Sequence, residues 1–275
     1  MDRLPIVKQL YRWDVRLSKN LLMKLRKLKK FFKKFLNTPI HPQWLCAHNK
    51  NIENFIKEEI TGIVVLDIGC ATKWPAKLLP PPYYYIGIDY LEAAENWYKT
   101  LPDVYGDAQK LPIASSSIDS VLLLDVLEHL QNPDQALNEI FRVLKTHGVL
   151  ILQVPFLYPI HDSPCDYQRW SKFGLNKIAS QHGFVIEKES FYGNPLESAA
   201  IISNIAMTKT VLNWISQKRI ASVFVLILPL YIILNNFISW ILSRISPIDD
   251  MMPTSYQMVW KKKLSRNNDM QDQAG

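Results

Sequence analysis

The sequence predicts an α/β protein built on a doubly wound, mostly parallel β-sheet. Short apolar runs at residues 63–68, 84–89 and 117–125 are rich in β-branched and aliphatic residues, as are strands covered on both faces. Segments with helical periodicity, such as residues 132–148, lie between such runs. Strands that alternate with helices over about 90 residues indicate parallel pairing, because two parallel strands need a crossover connection.

The composition is that of a globular protein with its positive charge concentrated at one end. The chain has 275 residues, 48% of them hydrophobic, and a net charge of +7. Residues 1–36 hold twelve Lys and Arg against Asp2 and Asp14, so the remainder is slightly acidic. The three cysteines share no C-x-x-C spacing, which favours reduced thiols and predicts no metal site. Charges interrupt the early apolar residues, so no cleavable signal peptide is expected.

Residues 1–37 predict a basic amphipathic helix. From residue 18 to residue 36, apolar side chains recur at spacings of three and four, with Lys and Arg between them. We prefer a helix that lies on an anionic membrane surface. The alternatives are a nucleic-acid-binding arm and a helix packed on its own domain. Pro39 and Pro42 then end the helix.

A ligand site is expected at residues 64–72. The first strand carries Asp67 near its end, and Gly69 and Ala71 in the following loop let the backbone approach a ligand closely. The loop lacks the G-x-G-x-x-G pattern on which a dinucleotide pyrophosphate rests. A carboxylate at this place repels phosphate but attracts a cation. S-adenosylmethionine meets both conditions, because it is a nucleoside with an ammonium and a sulfonium group.

Two further strands place aspartates at the same edge. A helix over residues 44–60 precedes the first strand, and Asp89 ends the second. A carboxylate there can accept hydrogen bonds from both hydroxyls of a ribose. Asp107 follows the run that begins at residue 104 and could accept a hydrogen bond from an adenine amino group. Three such residues predict one nucleoside pocket, since the carboxyl ends of parallel strands meet at one edge.

The alternation of strands and helices continues to residue 191. The remaining predicted elements are a strand at 117–125, a helix capped by Asn132 with Pro133 at its first position and an end at Gly148, a strand at 149–154, a helix from Ser171 to about residue 181, and a strand at 184–191.

The motifs on these elements resemble a known enzyme family. They are, in order, VLDIGC, YIGIDY, YGDAQKLP, SIDSVLLLDVLEHL, EIFRVLKTHGVLILQVP and H-D-x-P-x-D-Y-x-R-W. Over residues 44–195 the chain resembles class I S-adenosylmethionine-dependent methyltransferases of the small-molecule type. Its last motif resembles methyltransferases of surface-polysaccharide pathways.

This resemblance implies a Rossmann-like methyltransferase fold with seven strands and S-adenosylmethionine as the cofactor. The cofactor-binding residues it implies are Asp67, Gly69, Cys70 and Ala71 around the methionine part, Asp89 and the adjacent Tyr90 at the ribose, Asp107 and Ala108 at the adenine, and Asp125 near the reacting methyl group. Glycine is usual in this family at the position of Ala71, so this residue is a departure from the pattern.

Residues 155–170 are predicted to form a wall of the acceptor pocket, because they leave the end of the fifth strand and are rich in aromatic and ionisable side chains. If the acceptor is a hydroxyl, a base must take its proton. His161 and His129 are the candidates, with Asp166 as an orienting carboxylate. In the alternative interpretation these residues are structural. Arg169 is a possible clamp for an acidic substrate, and Glu128 is expected to be solvated or tied to local backbone.

An apolar insertion is expected at residues 196–250. The family fold ends in a strand antiparallel to the sixth, and its best match lies at residues 254–263. The insertion includes 24 residues without a charged side chain, 220–243, which is enough to span a bilayer. A single crossing would separate the last strand from its sheet, so we expect embedding without complete crossing. The alternatives are a true span without a seventh strand and a buried or dimer-forming helix. Residues 264–275 are expected to be disordered.

The predicted function is methyl transfer at the cytoplasmic face of a membrane, by peripheral or monotopic association. The expected acceptor is a sugar hydroxyl on a lipid-linked or nucleotide-linked glycan. Methylation of a lipid-soluble small molecule, such as a quinone precursor, is the first alternative. A membrane adaptor that has lost catalysis is the second, and only Ala71 favours it. Nucleic acid is not an expected partner, and no oligomeric state is predicted.

Overall fold

A computed structural model describes residues 38–47 and 51–263. The predicted amphipathic helix at residues 1–37 and the predicted disordered tail at 264–275 lie outside the described residues, so both stay predictions.

The described part of the chain forms one seven-stranded sheet with helices on both faces. The strands are β1 Val64–Ile68, β2 Tyr84–Asp89, β3 Val104–Tyr105, β4 Ile118–Leu124, β5 Leu144–Pro155, β6 Phe184–Tyr192 and β7 Ser255–Lys262. The α-helices are α1 Trp44–Ala47, α2 Asn51–Glu59, α3 Pro133–Val143, α4 Lys172–Gln181, α5 Pro195–Ser216 and α6 Leu228–Ile245. Shorter helical segments are 3₁₀ turns at Pro75–Leu78, Leu127–His129 and Ile220–Leu226 and a π-helix at Ala93–Tyr98.

The strand order β3-β2-β1-β4-β5-β7-β6 is that of a doubly wound sheet. Strands β1 to β5 pair in parallel, and β7 lies between β5 and β6, antiparallel to both. Because the order reverses at β1, the carboxyl ends of β1 and β4 border the crevice in which ligands bind in such folds. The predicted fold class is confirmed, including the helical insertion before the last strand.

Apolar layers cover both faces of the sheet. Successive residues of a strand point to opposite faces, so Leu66 of β1 packs with one layer and Val65 with the other. The first layer includes Ile140 of α3 and Leu175 of α4, and the second includes Ile56 of α2. All five of these side chains are fully buried. Each contributes about 1.5–3 kcal/mol through burial, which fixes the strand ends that carry the site.

Two predicted helix starts agree with the structure, but only one has the expected capping bond. The Ser171 hydroxyl accepts a hydrogen bond from the Gly174 N–H at 3.3 Å, so it caps α4. Asn132 precedes α3 and Pro133 is its first residue, yet the Asn132 side chain accepts no capping hydrogen bond. The fixed φ of proline therefore sets this start, in place of a side-chain cap.

The helix predicted to stop at Gly148 ends earlier, at Val143, and β5 begins at the next residue. Leu144 already pairs with Ile118 of β4, and the register shifts before the pairing continues. A Cβ at Gly148 would lie 3.0 Å from the backbone oxygen of Asp119. This glycine therefore permits the close approach of two strands at an irregularity and does not end a helix.

The insertion forms an antiparallel helical hairpin. Glu197 and Asn204 of α5 contact Ser243 and Asn236 of α6, respectively, as helices running in opposite directions require. The chain leaves β6 after Tyr192 and returns to β7 at Ser255, and these residues are paired in the sheet. Among the described residues, α6 is the one helix long and apolar enough to span a bilayer, which is weak evidence by length and composition alone.

Candidate cofactor and acceptor site

The loop after β1 is held over the end of β2 by backbone hydrogen bonds. The N–H groups of Gly69 and Cys70 both donate to the Ile88 carbonyl, at 2.8 and 3.0 Å. Gly69 has a φ of +71°, and a Cβ there would lie 2.4 Å from Cγ2 of Val126. Two properties of glycine are therefore needed at this position: its freedom to adopt a positive φ and its lack of a side chain.

Ala71 also adopts a left-handed conformation, with a φ of +46°. An L-residue pays a steric cost of about 1–2 kcal/mol there, which explains why glycine is usual at this position. The Ala71 N–H donates to Oδ2 of Asp89 at 2.8 Å, and its carbonyl accepts from the Thr100 hydroxyl at 2.6 Å. These bonds hold the alanine in the conformation that the loop needs.

Asp89 connects this loop to the end of β2. Its carboxylate is 5% exposed and accepts from the N–H groups of Ala71 and Tyr90, each at 2.8 Å. These two bonds fix the carboxylate at the carboxyl end of β2, where a ribose diol is expected to bind. The Tyr90 side chain is exposed beside it.

Asp67 is buried beneath the loop. The Tyr85 hydroxyl donates to its Oδ2 at 2.5 Å. Burial raises the pKa of Asp67 to about 7, and the negative charge of Asp89 acts in the same direction, while the bond from Tyr85 opposes the shift. Cys70 is buried as well, and its sulfur packs against Gly87. Contact between Cys70 and a ligand would therefore involve its backbone.

The remaining predicted cofactor residues lie at the ends of β3 and β4. Asp107 accepts from the Gln109 N–H at 2.8 Å and so stabilises a turn, with Ala108 buried next to it. Asp125 follows β4 with a φ of +55°, and its exposed carboxylate accepts from Nε2 of Gln153 at 2.8 Å. The topology brings all the predicted cofactor residues to one edge of the sheet, while their roles in binding stay predictions.

Tyr98 was not identified in the sequence as a site residue. The π-helix carries it to the same edge, where the charges of Asp162, Asp89 and Asp125 reinforce the effect of burial and raise the pKa of its phenol. A neutral phenol that faces several carboxylates can donate a hydrogen bond to an acceptor oxygen. A tyrosine in an irregular helix has no sequence signal that separates it from a packing residue.

The predicted catalytic residues form one cluster with Glu128. The rings of His129 and His161 meet edge to face, with 4.9 Å between their centroids. Nε2 of His129 lies 3.6 Å from Oε1 of Glu128, and Nε2 of His161 lies 3.8 Å from the same oxygen. Glu128 was expected to be solvated or tied to local backbone, but it is fully buried and neither carboxylate oxygen accepts a hydrogen bond, because the turn after β4 directs it inward beside Leu127.

Asp166 contacts both His161 and Arg169. Its Oδ2 accepts from the His161 backbone N–H at 2.9 Å and lies 3.2 Å from His161 Nδ1. The Arg169 guanidinium donates to both carboxylate oxygens of Asp166. Burial alone would raise the pKa of Asp166, but the bonds from Arg169 and His161 lower it. Arg169 therefore holds this loop together, which does not favour its predicted use as a clamp for an acidic substrate.

The charges around His161 favour its protonated form. Burial alone would lower the pKa of this imidazole, but the neighbouring carboxylates of Glu128 and Asp166 outweigh that effect and raise it. His161 is 4% exposed, whereas the side chain of His129 is 20% exposed. The catalytic roles of His161, His129 and Asp166 stay predictions.

Comparison with known proteins agrees with the predicted resemblance to methyltransferases. Residues 66–152 match a family model described as a methyltransferase domain. The chain is 33% identical over 155 residues to a Mycolicibacterium smegmatis protein described as a "Probable S-adenosylmethionine-dependent methyltransferase", an alignment that covers 52% of this chain and 60% of that protein. The chain spans less than two thirds of the length of the curated relatives it matches.

A solved structure supports the fold assignment. A crystal structure from Bacillus halodurans C-125, provisionally assigned as a methyltransferase, superposes with a TM-score of 0.50 at 17% identity and covers 78% of this chain and 100% of that one. At this identity the likeness concerns the fold alone. The sequence match, the strand order and the aspartates at the ends of the strands lead to one conclusion: residues 66–152 are similar to a methyltransferase domain, and S-adenosylmethionine is the cofactor that this similarity implies.

Proposed function

We propose that the protein transfers the methyl group of S-adenosylmethionine to a hydroxyl-bearing acceptor at a membrane surface. The observation that carries the proposal is the position of the Asp89 carboxylate, which anchors the loop after β1 at the edge of the sheet where Asp67 and Asp125 also lie. It lies within the segment that matches the methyltransferase family.

The transfer is an in-line displacement, in which the protein aligns the nucleophile, the methyl carbon and the sulfur. A C–O bond forms as the C–S bond breaks, S-adenosylhomocysteine leaves, and the hydroxyl proton must be removed. Residues 155–170 follow β5 and bring His161 beside His129 at the same edge of the sheet. We therefore propose that the acceptor oxygen approaches from this side, next to Asp125.

A sugar hydroxyl on a lipid-linked or nucleotide-linked glycan is the proposed acceptor. The resemblance of the H-D-x-P-x-D-Y-x-R-W segment to methyltransferases of polysaccharide pathways supports this choice. Methylation of a lipid-soluble compound, such as a quinone precursor, would use the same cofactor residues. Labelled cofactor separates the two, because the methyl label would enter a glycan-bearing fraction in one case and a glycan-free lipid fraction in the other.

The helical hairpin supports the proposed membrane association. Asn235 and Asn236 of α6 both bond to Asn204 of α5, so the polar face of α6 points into the protein. Most of its large apolar residues are exposed instead. They are Leu230, Ile233, Leu234, Phe237, Ile238, Trp240, Ile241, Leu242 and Ile245. A contiguous apolar surface of this kind is typical of an interaction with lipid or protein.

The return of the chain to β7 favours association with one leaflet. The hairpin begins and ends at paired residues, Tyr192 and Ser255, so both ends of the insertion lie on the same side of any membrane that it contacts. We propose that the hairpin lies in the cytoplasmic leaflet without crossing it, with the site edge of the sheet in the cytoplasm.

Calorimetric titration with S-adenosylmethionine tests the cofactor assignment. We expect one binding site per chain. If the folded protein binds no S-adenosylmethionine, the methyltransferase proposal is wrong and the alternative of a membrane adaptor without catalysis is favoured. Sedimentation with vesicles of anionic phospholipid tests the membrane assignment. The variant Leu230→Glu/Leu234→Glu should bind vesicles more weakly, whereas Phe173→Glu, at an exposed apolar residue of α4, should bind as the wild type does. Equal binding by all three proteins would contradict the role of the hairpin.

A further inference from the structure

We infer that Glu128, His129 and His161 form a binding site for one divalent transition-metal cation. One potential ligand atom from each side chain lies within 4.8 Å of the other two. Neither the family match nor the cofactor residues require this cluster, and the spacing of the cysteines had predicted no metal site.

Glu128 is the observation that points to a missing positive charge. Its side chain is fully buried, and neither Oε1 nor Oε2 accepts a hydrogen bond. A buried carboxylate without hydrogen bonds costs several kcal/mol, so native structures pair such groups or place them on metals. The two imidazole nitrogens nearest to Oε1 are 3.6 and 3.8 Å away, which is too far for a hydrogen bond.

These separations suit atoms that share an ion. Ligands about 2.1 Å from a metal lie roughly 3.0–3.6 Å from each other at angles between 90° and 120°. Small side-chain rotations would bring the two nitrogens and the carboxylate oxygen into that range. The three ligands come from the turn after β4 and from the loop after β5, so an ion would join two segments that form one wall of the site.

Neighbouring groups hold the outer nitrogens of both histidines, and for His129 the contact fixes the tautomer that a metal ligand requires. Nδ1 of His129 lies 2.8 Å from the Cys165 carbonyl. A carbonyl only accepts, so this nitrogen carries the proton and Nε2 is free to coordinate. Nδ1 of His161 lies 3.2 Å from both the Pro159 carbonyl and Asp166 Oδ2, and 3.4 Å from Nη2 of Arg169. A carboxylate behind an imidazole is the usual outer partner of a coordinating histidine.

The donor set selects the class of cation. Two imidazoles and one carboxylate suit Zn²⁺, Fe²⁺ or Co²⁺, whereas Mg²⁺ and Ca²⁺ prefer oxygen donors throughout. The competing explanation is an ion pair between Glu128 and a protonated His161 without a metal. The two explanations differ in a measurable way, because only the metal site predicts one bound cation per chain.

One consequence for catalysis rests on the proposed function. A cation with three protein ligands keeps open positions, and an acceptor hydroxyl bound there would have a lowered pKa. The ion, rather than a free imidazole of His161 or His129, would then activate the oxygen that attacks the methyl carbon. The proton would leave to solvent, and metal removal would lower turnover while cofactor affinity stays the same.

The test is a titration of the chelator-treated full chain with Co²⁺ alone, without cofactor or acceptor. Visible d–d absorption should show one site per chain, and Zn²⁺ should displace the Co²⁺. Glu128→Gln and His129→Asn should each weaken binding at least about tenfold. Glu58→Gln and His147→Asn are matched controls at exposed residues outside the cluster, and they should bind as the wild type does.

The folding of each variant is checked by circular dichroism. His129→Asn decides the question if Glu128→Gln fails to fold, because the His129 side chain is 20% exposed and tolerates change better. The proposal is wrong if the folded wild type binds no Co²⁺, or if a folded cluster variant binds as tightly as the controls. Because cofactor is omitted, this outcome is independent of S-adenosylmethionine binding, so the two proposals can fail separately.

Discussion

Gly69→Ala is expected to lower the free energy of unfolding by about 2–5 kcal/mol. The backbone of Gly69 has a φ of +71°, which costs about 1–2 kcal/mol for an L-residue. The added Cβ would lie 2.4 Å from Cγ2 of Val126. Overpacking of this kind costs about 1–3 kcal/mol, because Val126 or the loop must move.

The same change is expected to weaken cofactor binding, because the loop after β1 is the part that would move. Urea denaturation followed by circular dichroism gives the change in stability, and calorimetry with S-adenosylmethionine gives the change in affinity. Gly174→Ala is a matched control. A Cβ at Gly174 in α4 would meet no atom closer than 3.6 Å, and alanine in a helix is favoured over glycine by up to about 1 kcal/mol.

The free energy of unfolding is therefore expected to fall in Gly69→Ala and to rise in Gly174→Ala. A loss smaller than about 1 kcal/mol in Gly69→Ala, with unchanged cofactor affinity, would refute both the steric argument and the place of this loop in the cofactor site.

Three further substitutions test other parts of the structure. Asp89→Asn removes the charge and one acceptor oxygen, so calorimetry should show S-adenosylmethionine binding weakened by about 1.5–3 kcal/mol; unchanged affinity would contradict the ribose assignment. The folded pKa of Asp67 is about 7 against an ordinary 3.8, so the folded protein keeps a proton that the unfolded chain has lost between those values. Stability should therefore fall as pH rises from about 4 to 7, by up to about 1.4 kcal/mol per pH unit, and urea titrations of Asp67→Asn should lack this slope. Asn236→Ala should cost at least about 2 kcal/mol in urea denaturation, because Asn236 is buried and donates to two backbone carbonyls, whereas the exposed Asn213→Ala should change little; equal effects would contradict the buried network.

The sheet was predictable because its strands are short apolar runs and most consecutive strands lie side by side, although β4 pairs with β1 and β5 pairs with β7. Val65 and Leu66 of β1 are buried on opposite faces, and Asp67 is the one polar residue of this strand. The end of α3 was not predictable. Gly148 resembles a helix stop, but its role depends on Asp119, a residue 29 positions earlier that only strand pairing brings close.

The meeting of the aspartates at one edge of the sheet was predictable for a related reason. The aspartates that follow parallel strands meet at one edge in any doubly wound sheet, so Asp67, Asp89 and Asp107 could be assigned to one edge before their contacts were known. The geometry added what the pattern omits. Ala71 has a left-handed backbone held by Asp89, and Asp67 points into the protein toward Tyr85.

The sequence by itself determined the α/β class, the methyltransferase resemblance and the apolar character of the insertion, because all three depend on local residue patterns. Only the tertiary structure decided what surrounds Glu128. Its position between Leu127 and His129 predicted nothing about burial, and its partner His161 lies 33 residues away on another loop. The free-energy cost of burying a charge depends on every group that surrounds it, including groups far away in sequence. In the folded chain, water is excluded from the Glu128 carboxylate and no hydrogen bond replaces it.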